Sequence, residues 1–212
     1  MRWIAVALAA GAIALLADAP DTGKILKGVE DHYNHIQSLE VNFTERYSGQ
    51  GRVTTEKGEL LLRKPGKMRW QYSVPAGELY ISDGKFLYSY HPNDNRAEKM
   101  SFKEMDDMRA PLAFLLGKLH FSDDFGQVRI EPDRDSPDHF VIATPKSDKL
   151  PYSQVKFLVS PDSVIHWLLV QRQDGSTLEF TFEGEKKNPP IPEQMFRFAP
   201  PPGVEYVDLS KK

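Results

Sequence analysis

Residues 58–72 read GELLLRKPGKMRWQY. Gly58, Leu60 and Leu62 alternate with Glu59, Leu61 and Arg63, and past Pro65 the residues Met68, Trp70 and Tyr72 alternate with Arg69 and Gln71. A period of two is the pattern of a β-strand with one buried face. The same period runs outward on both sides. Upstream, Leu39, Val41 and Phe43 alternate with polar residues. Downstream, Leu79 and Ile81 lead into Asp83-Gly84, a hairpin signal, and then Phe86, Tyr88 and Tyr90. Pro92-Asn93-Asp94-Asn95 is another turn, and strand-like segments follow at 96–102, 127–131, 139–144, 154–159, 164–172 and 176–184, the last two joined by Asp174-Gly175. Two segments are helical instead. Ile25, Leu26, Val29, Tyr33 and Ile36 recur at helical spacing over 22–37 behind an Asp21-Thr22 cap, and an apolar run follows Pro111 to Leu119.

These elements predict one mainly β (α+β) domain over 20–212: about ten antiparallel strands in a curved sheet or incomplete barrel, with two helical segments. Two helices are few to cover the apolar face of so large a sheet. One solution is an apolar hollow under a helical lid, able to take an apolar ligand; a plain packed core satisfies the same periodicity.

The amino end has the tripartite layout of an export signal: Arg2, the apolar run Trp3 to Leu16, and Ala17-Asp18-Ala19. Residues 1–19 are expected to be cleaved, after Ala17 or Ala19, the alternative being an uncleaved anchor. The run is shorter than the roughly 20 apolar residues a spanning helix needs. The mature chain is expected in an extracytoplasmic space, most simply a bacterial periplasm. With 27 Lys and Arg against 30 Asp and Glu, the net charge of −3 argues against a nucleic-acid binder. The absence of cysteine removes disulfides, thiolate metal sites, cysteine nucleophiles and a lipid-modified cysteine anchor.

The stretch GELLLRKPGKMRW at 58–70, Ser82-Asp83-Gly84-Lys85 with Leu87 and Tyr88, and the closing FRFAPPPGV at 196–204 resemble the periplasmic outer-membrane lipoprotein carrier (LolA) family. The order of signal, helix, strands, apolar mid-chain helix and strands fits as well. The resemblance implies a half-barrel whose hollow holds the acyl chains of lipoproteins. It implies collection of the cargo from an inner-membrane ABC-type release complex and delivery to a receptor lipoprotein on the outer membrane. It implies a monomer with no enzymatic activity and no cofactor. By this resemblance Leu60, Leu62, Met68, Trp70, Leu79, Ile81, Tyr88 and Tyr90 are expected to face the hollow, and Leu112, Phe114, Leu115 and Leu116 to form the lid. Family members often carry an arginine before the proline that ends the second strand, where it latches the unloaded form. Here that position is Lys64, with Arg63 one residue earlier. Neighbours on a strand point to opposite faces, so Lys64 shares the inner face with Leu60 and Leu62 while Arg63 points out. Lysine lacks the planar fork of arginine, so the latch is Lys64, weaker, or absent.

Other features have plainer readings. His32 and His35 stand at i,i+3, a spacing that can hold a metal, but a solvated helix face is the expectation. Arg63, Lys64, Lys67 and Arg69 are expected along a solvated strand edge, with a membrane or partner surface as the alternative. Rival functions are a half-barrel sensor of envelope lipids or lipoproteins, which would carry a further domain, and a carrier for another apolar ligand such as a glycolipid. Fold alone does not separate these.

Overall fold

The computed structural model describes residues 21–101 and 119–210. The expected signal peptide and the lid residues Leu112, Phe114, Leu115 and Leu116 lie outside the described residues.

The chain opens with α1 (Thr22–His35), capped by Asp21, whose side chain accepts the Lys24 N–H at 3.2 Å. Ile36 is extended, so the helix stops before the 37 expected from periodicity and the chain enters the sheet at Ser38. Six strands follow: β1 (Ser38–Gly49), β2 (Arg52–Arg63), β3 (Lys67–Val74), β4 (Leu79–Asp83), β5 (Phe86–His91) and β6 (Arg96–Ser101). A single helical turn, Phe121–Asp124, leads into β7 (Phe125–Pro132), β8 (His139–Pro145), β9 (Tyr152–Val159), β10 (Ile165–Arg172) and β11 (Thr177–Lys187), and β12 (Glu205–Asp208) closes the chain. All twelve form one sheet in the order β12-β6-β5-β4-β3-β2-β1-β11-β10-β9-β8-β7. Two meanders meet where β1 pairs β11, with Phe43 opposite Phe182. Every pairing is antiparallel except β12 on β6. The edge strands β7 and β12 are not paired to each other, so the barrel is incomplete.

Local chemistry sets the turns. Asp83 Oδ1 accepts the N–H groups of Lys85 and Phe86, both at 2.8 Å, and Gly84 takes φ 95°, so the β4–β5 hairpin forms where Asp-Gly predicts it. Gly58 answers to a different need. A Cβ there would lie 2.1 Å from the Gln71 carbonyl oxygen and 2.8 Å from the Phe43 ring, so β3 and Phe43 close on it only because it has no side chain.

The two faces of the sheet are covered by different pieces of chain. On the inner face, α1 places Val29, Tyr33 and Ile36 in one continuous core with Val41, Phe43, Leu60, Leu62, Met68, Trp70, Phe157 and Leu168. On the outer face, Leu61 packs with Ile191 and Phe196 from the C-terminal tail. The tail thus straps the back of β2 and β3 before β12 joins the edge.

Candidate functional site

The inner face is apolar from strand to strand. Leu60, Leu62, Met68 and Trp70 point into it, and each is at most 3% exposed. Opposed partners across an antiparallel pair share a face. Leu60 opposes Trp70 and Leu62 opposes Met68, so the four form one patch on β2 and β3. Rings extend it. Trp70 lies 4.9 Å from Phe43 and 5.9 Å from Phe180, centroid to centroid, in tilted and edge-on contacts. At this depth the patch is packed core, covered by α1 and by Leu119, Phe121 and Phe125.

The other four expected lining residues are turned over. Register carries the face from β3 to β4: Met68 opposes Ser82 and Trp70 opposes Tyr80, which puts Tyr80 and Ser82 inside. Ile81 and Leu79 therefore share the outer face with Arg69 and Gln71. Tyr88 and Tyr90, opposite Ile81 and Leu79, follow them outward, while Leu87 and Ser89 point in. The outward residues are sheltered by the tail. Phe198 stacks on Tyr88 at 5.5 Å, and Leu79, Ile81 and Tyr90 line a cleft of about 470 Å³ with Arg69, Arg197 and Phe198. Expected to face the hollow, all four lie on the outer face instead: Leu79, Ile81 and Tyr90 line this cleft, and Tyr88 stacks under Phe198.

Lys64 points inward and Arg63 outward, as the strand period requires. The Lys64 ammonium donates to the carbonyls of Tyr33 at 2.5 Å and Asn34 at 3.3 Å, in the last turn of α1. A cation there also meets the negative end of the helix dipole. Partial burial pushes the Lys64 pKa down. Arg63 donates to the Ile191 carbonyl at 2.9 Å, pairs with Glu193, and lies 5.0 Å from the Phe196 ring centroid. Lys67 pairs with the same Glu193, and Arg69 donates to the Met195 carbonyl. The four basic residues are thus not a free edge. Their strands are interior to the sheet, one cation binds α1, and three bind the tail.

More ties dock α1, and these were not legible beforehand. His32 Nε2 is 2.7 Å from Glu185 Oε1, Tyr33 donates to the other oxygen of Glu185 at 3.2 Å, and the Ile165 N–H donates to the Tyr33 hydroxyl at 2.9 Å. His32 is a buried tether to β11 rather than part of a solvated face, while His35 bonds back to the Asp31 carbonyl. No group of three or more metal-ligating side chains occurs among the described residues. Asn34 bonds both the N–H and the carbonyl of Leu119, at 2.6 and 2.9 Å, and Glu30 accepts the Phe121 N–H at 2.8 Å. α1 therefore anchors the chain where it re-enters the described structure.

An open half-barrel with a closed, continuous apolar inner face is the architecture of a protein that shelters apolar ligands. The family of that class is settled by sequence: the model described as "Outer membrane lipoprotein carrier protein LolA" matches residues 34–199, and the chain belongs to this family. An outer-membrane lipoprotein carrier protein of Bordetella avium (strain 197N) is 30% identical over 206 residues, covering 93% of this chain and 95% of its own. That of Cupriavidus necator is 28% identical over 215 residues, covering 98% and 99%. Among solved structures, an uncharacterised conserved protein of Thermus thermophilus superposes with a TM-score of 0.56 at 10% identity, covering 89% of this chain and 99% of that one. That likeness concerns the fold.

Proposed function

We propose that this protein is a periplasmic chaperone that takes the acyl chains of lipoproteins against the inner face of its sheet. In this reading it collects them from an inner-membrane ABC-type release complex and hands them to a receptor lipoprotein on the outer membrane. The observation that carries the reading, within the family, is the continuous apolar patch of Leu60, Leu62, Met68 and Trp70 beneath α1. Acyl chains in water cost about 0.8 kcal/mol per CH₂ group, so a carrier must shield them. It must also let go, and a face that is already satisfied when empty provides for that. The cover competes with the ligand, and net affinity is the difference between loaded and closed states. Lys64, held on the last turn of α1, serves as the tie that biases the closed state.

The test is release. Mature protein, from about residue 20, is mixed with inner-membrane vesicles carrying a labelled lipoprotein and the release complex of its own species. A soluble one-to-one complex of carrier and lipoprotein is expected. No release by folded protein, together with binding of a glycolipid, would replace lipoprotein by another apolar cargo.

A further inference from the structure

We propose that the inner face also holds a subsite, centred on Ser89, that hydrogen-bonds the ester and amide carbonyls at the head of an acylated polypeptide, with its chains directed toward Trp70 and α1. This rests on the carrier reading above and adds an orientation to it.

The first observation is a graded floor. From Trp70 a line of rings runs across the inner face: Phe43 at 4.9 Å, Tyr72 at 5.1 Å from Phe43, Tyr80 at 6.1 Å from Tyr72, and His91 at 5.6 Å from Tyr80. Its character changes along the way. Tyr72 donates to Glu45 Oε2 at 3.0 Å, His91 Nδ1 is 3.0 Å from Glu78, and Arg96 holds Glu98 at 2.7 Å. One end is hydrocarbon and ring; the other carries hydroxyls, carboxylates and their partners. A molecule laid along this floor has its orientation fixed by its own polarity.

The second observation is independent. Ser89 stands on the inner face of β5, opposite Tyr80 on β4 and Glu98 on β6. It is 2% exposed, and its hydroxyl has no hydrogen-bond partner. Buried hydroxyls nearly always have one, because water's bonds have been given up. By contrast Ser82, on the same face of the β4–β5 hairpin, donates to the Gly66 carbonyl at 2.8 Å and accepts the Gly84 N–H. Ser89 is a donor held in place with its acceptor still to arrive.

Charge selects the acceptor. Glu98 stands directly opposite Ser89, and Glu78 holds His91 two residues along the same face, so an incoming carboxylate meets like charges at the subsite. Neutral carbonyls do not. Glyceryl esters and the amides of an acylated N-terminal residue join long chains to neutral acceptors, whereas a free fatty acid ends in a charge.

The experiment measures binding of three probes to wild type and Ser89→Ala: a synthetic tripalmitoyl-cysteinyl peptide, dipalmitoylglycerol and palmitate. The expected result is a loss of about three- to tenfold for the lipopeptide, the range of one neutral hydrogen bond, with palmitate unchanged. An equal loss on dipalmitoylglycerol assigns the bond to the esters; a loss confined to the lipopeptide assigns it to the amides. The melting temperature of Ser89→Ala is expected to hold or rise, since the variant removes a buried hydroxyl without a partner. Unchanged lipopeptide binding, an equal loss for palmitate, or a lower melting temperature with unchanged affinity overturns the subsite. Failure of the wild type to bind lipopeptide overturns the carrier reading, and the subsite with it.

Discussion

In the proposed carrier reading, Lys64 is one side chain that sets a balance between two states. Its ammonium holds two carbonyls of α1, and a half-exposed charge-assisted bond of this kind is worth about 1–2 kcal/mol. Lys64→Met removes it, and the thermal midpoint is expected to fall by a few degrees. Because the closed state competes with cargo, the same variant is expected to bind a lipopeptide up to about tenfold more tightly in a fluorescence titration. Unchanged values in both measurements would show that the lysine restrains nothing. Tyr88 offers a titration on the opposite face. Burial, then the neighbouring Asp83 carboxylate to which its hydroxyl donates at 3.2 Å, push the Tyr88 pKa up to about 12 from 10.0. Above pH 10 the unfolded chain loses this proton while the folded chain keeps it. Stability contributed by Tyr88 is therefore complete below 10 and is lost as pH rises through 12. Urea midpoints at about pH 9 and about pH 11 should differ less in Tyr88→Phe than in wild type; an equal difference would show that Tyr88 does not contribute to the alkaline slope.

At the scale of elements, the C-terminal tail acts as a strap. Phe196 is 1% exposed and fills the outer face with Leu61 and Ile191, while Glu193 is gripped by Arg63 and Lys67. Phe196→Ala is expected to cost about 3–5 kcal/mol in urea denaturation. Because the strap and the inner patch lie on opposite faces, lipopeptide affinity of the folded fraction should stay within about twofold; a large loss would mean that the faces are coupled. The strap also explains which parts of the fold were legible. Strand positions followed from alternation, and both Asp-Gly turns fell at hairpins, since these signals are local. The faces of β4 and β5 were not legible. There the outward set Leu79, Ile81, Tyr88 and Tyr90 is at least as apolar as the inward set Tyr80, Ser82, Leu87 and Ser89. Hydrophobicity on a strand says that something covers the face, not what. The cover, Phe198 and its neighbours, lies over a hundred residues downstream. β12 escaped notice for a related reason: four residues paired in parallel to β6 leave little periodicity to read. On β2 and β3 the inner set Leu60, Leu62, Met68 and Trp70 is the more apolar, so alternation alone reads its face.

For the whole molecule, the proposed function needs a stable empty protein whose inner face can be uncovered. Twelve strands in one open sheet fix the floor through backbone pairing, which does not depend on what lies above it. The cover is tied by discrete polar contacts: Lys64 to the end of α1, Glu185 to His32 and Tyr33, and Asn34 to Leu119. Discrete ties can break together and re-form, so opening need not disturb the sheet. Trp70 reports that event directly, since it is 1% exposed at the centre of the patch between Phe43 and Phe180. Trp167, the other tryptophan among the described residues, donates to Glu179 at 2.8 Å and packs edge-on to Phe140. It opposes Thr181, neighbour in sequence to the inward Phe180, and so sits on the outer face. Lipopeptide loading is thus expected to shift or quench the emission of wild type and of Trp167→Phe, and to leave that of Trp70→Phe nearly unchanged while binding persists by calorimetry. A signal that instead followed Trp167 would place the cargo on the outer face and reverse the roles of the two sides.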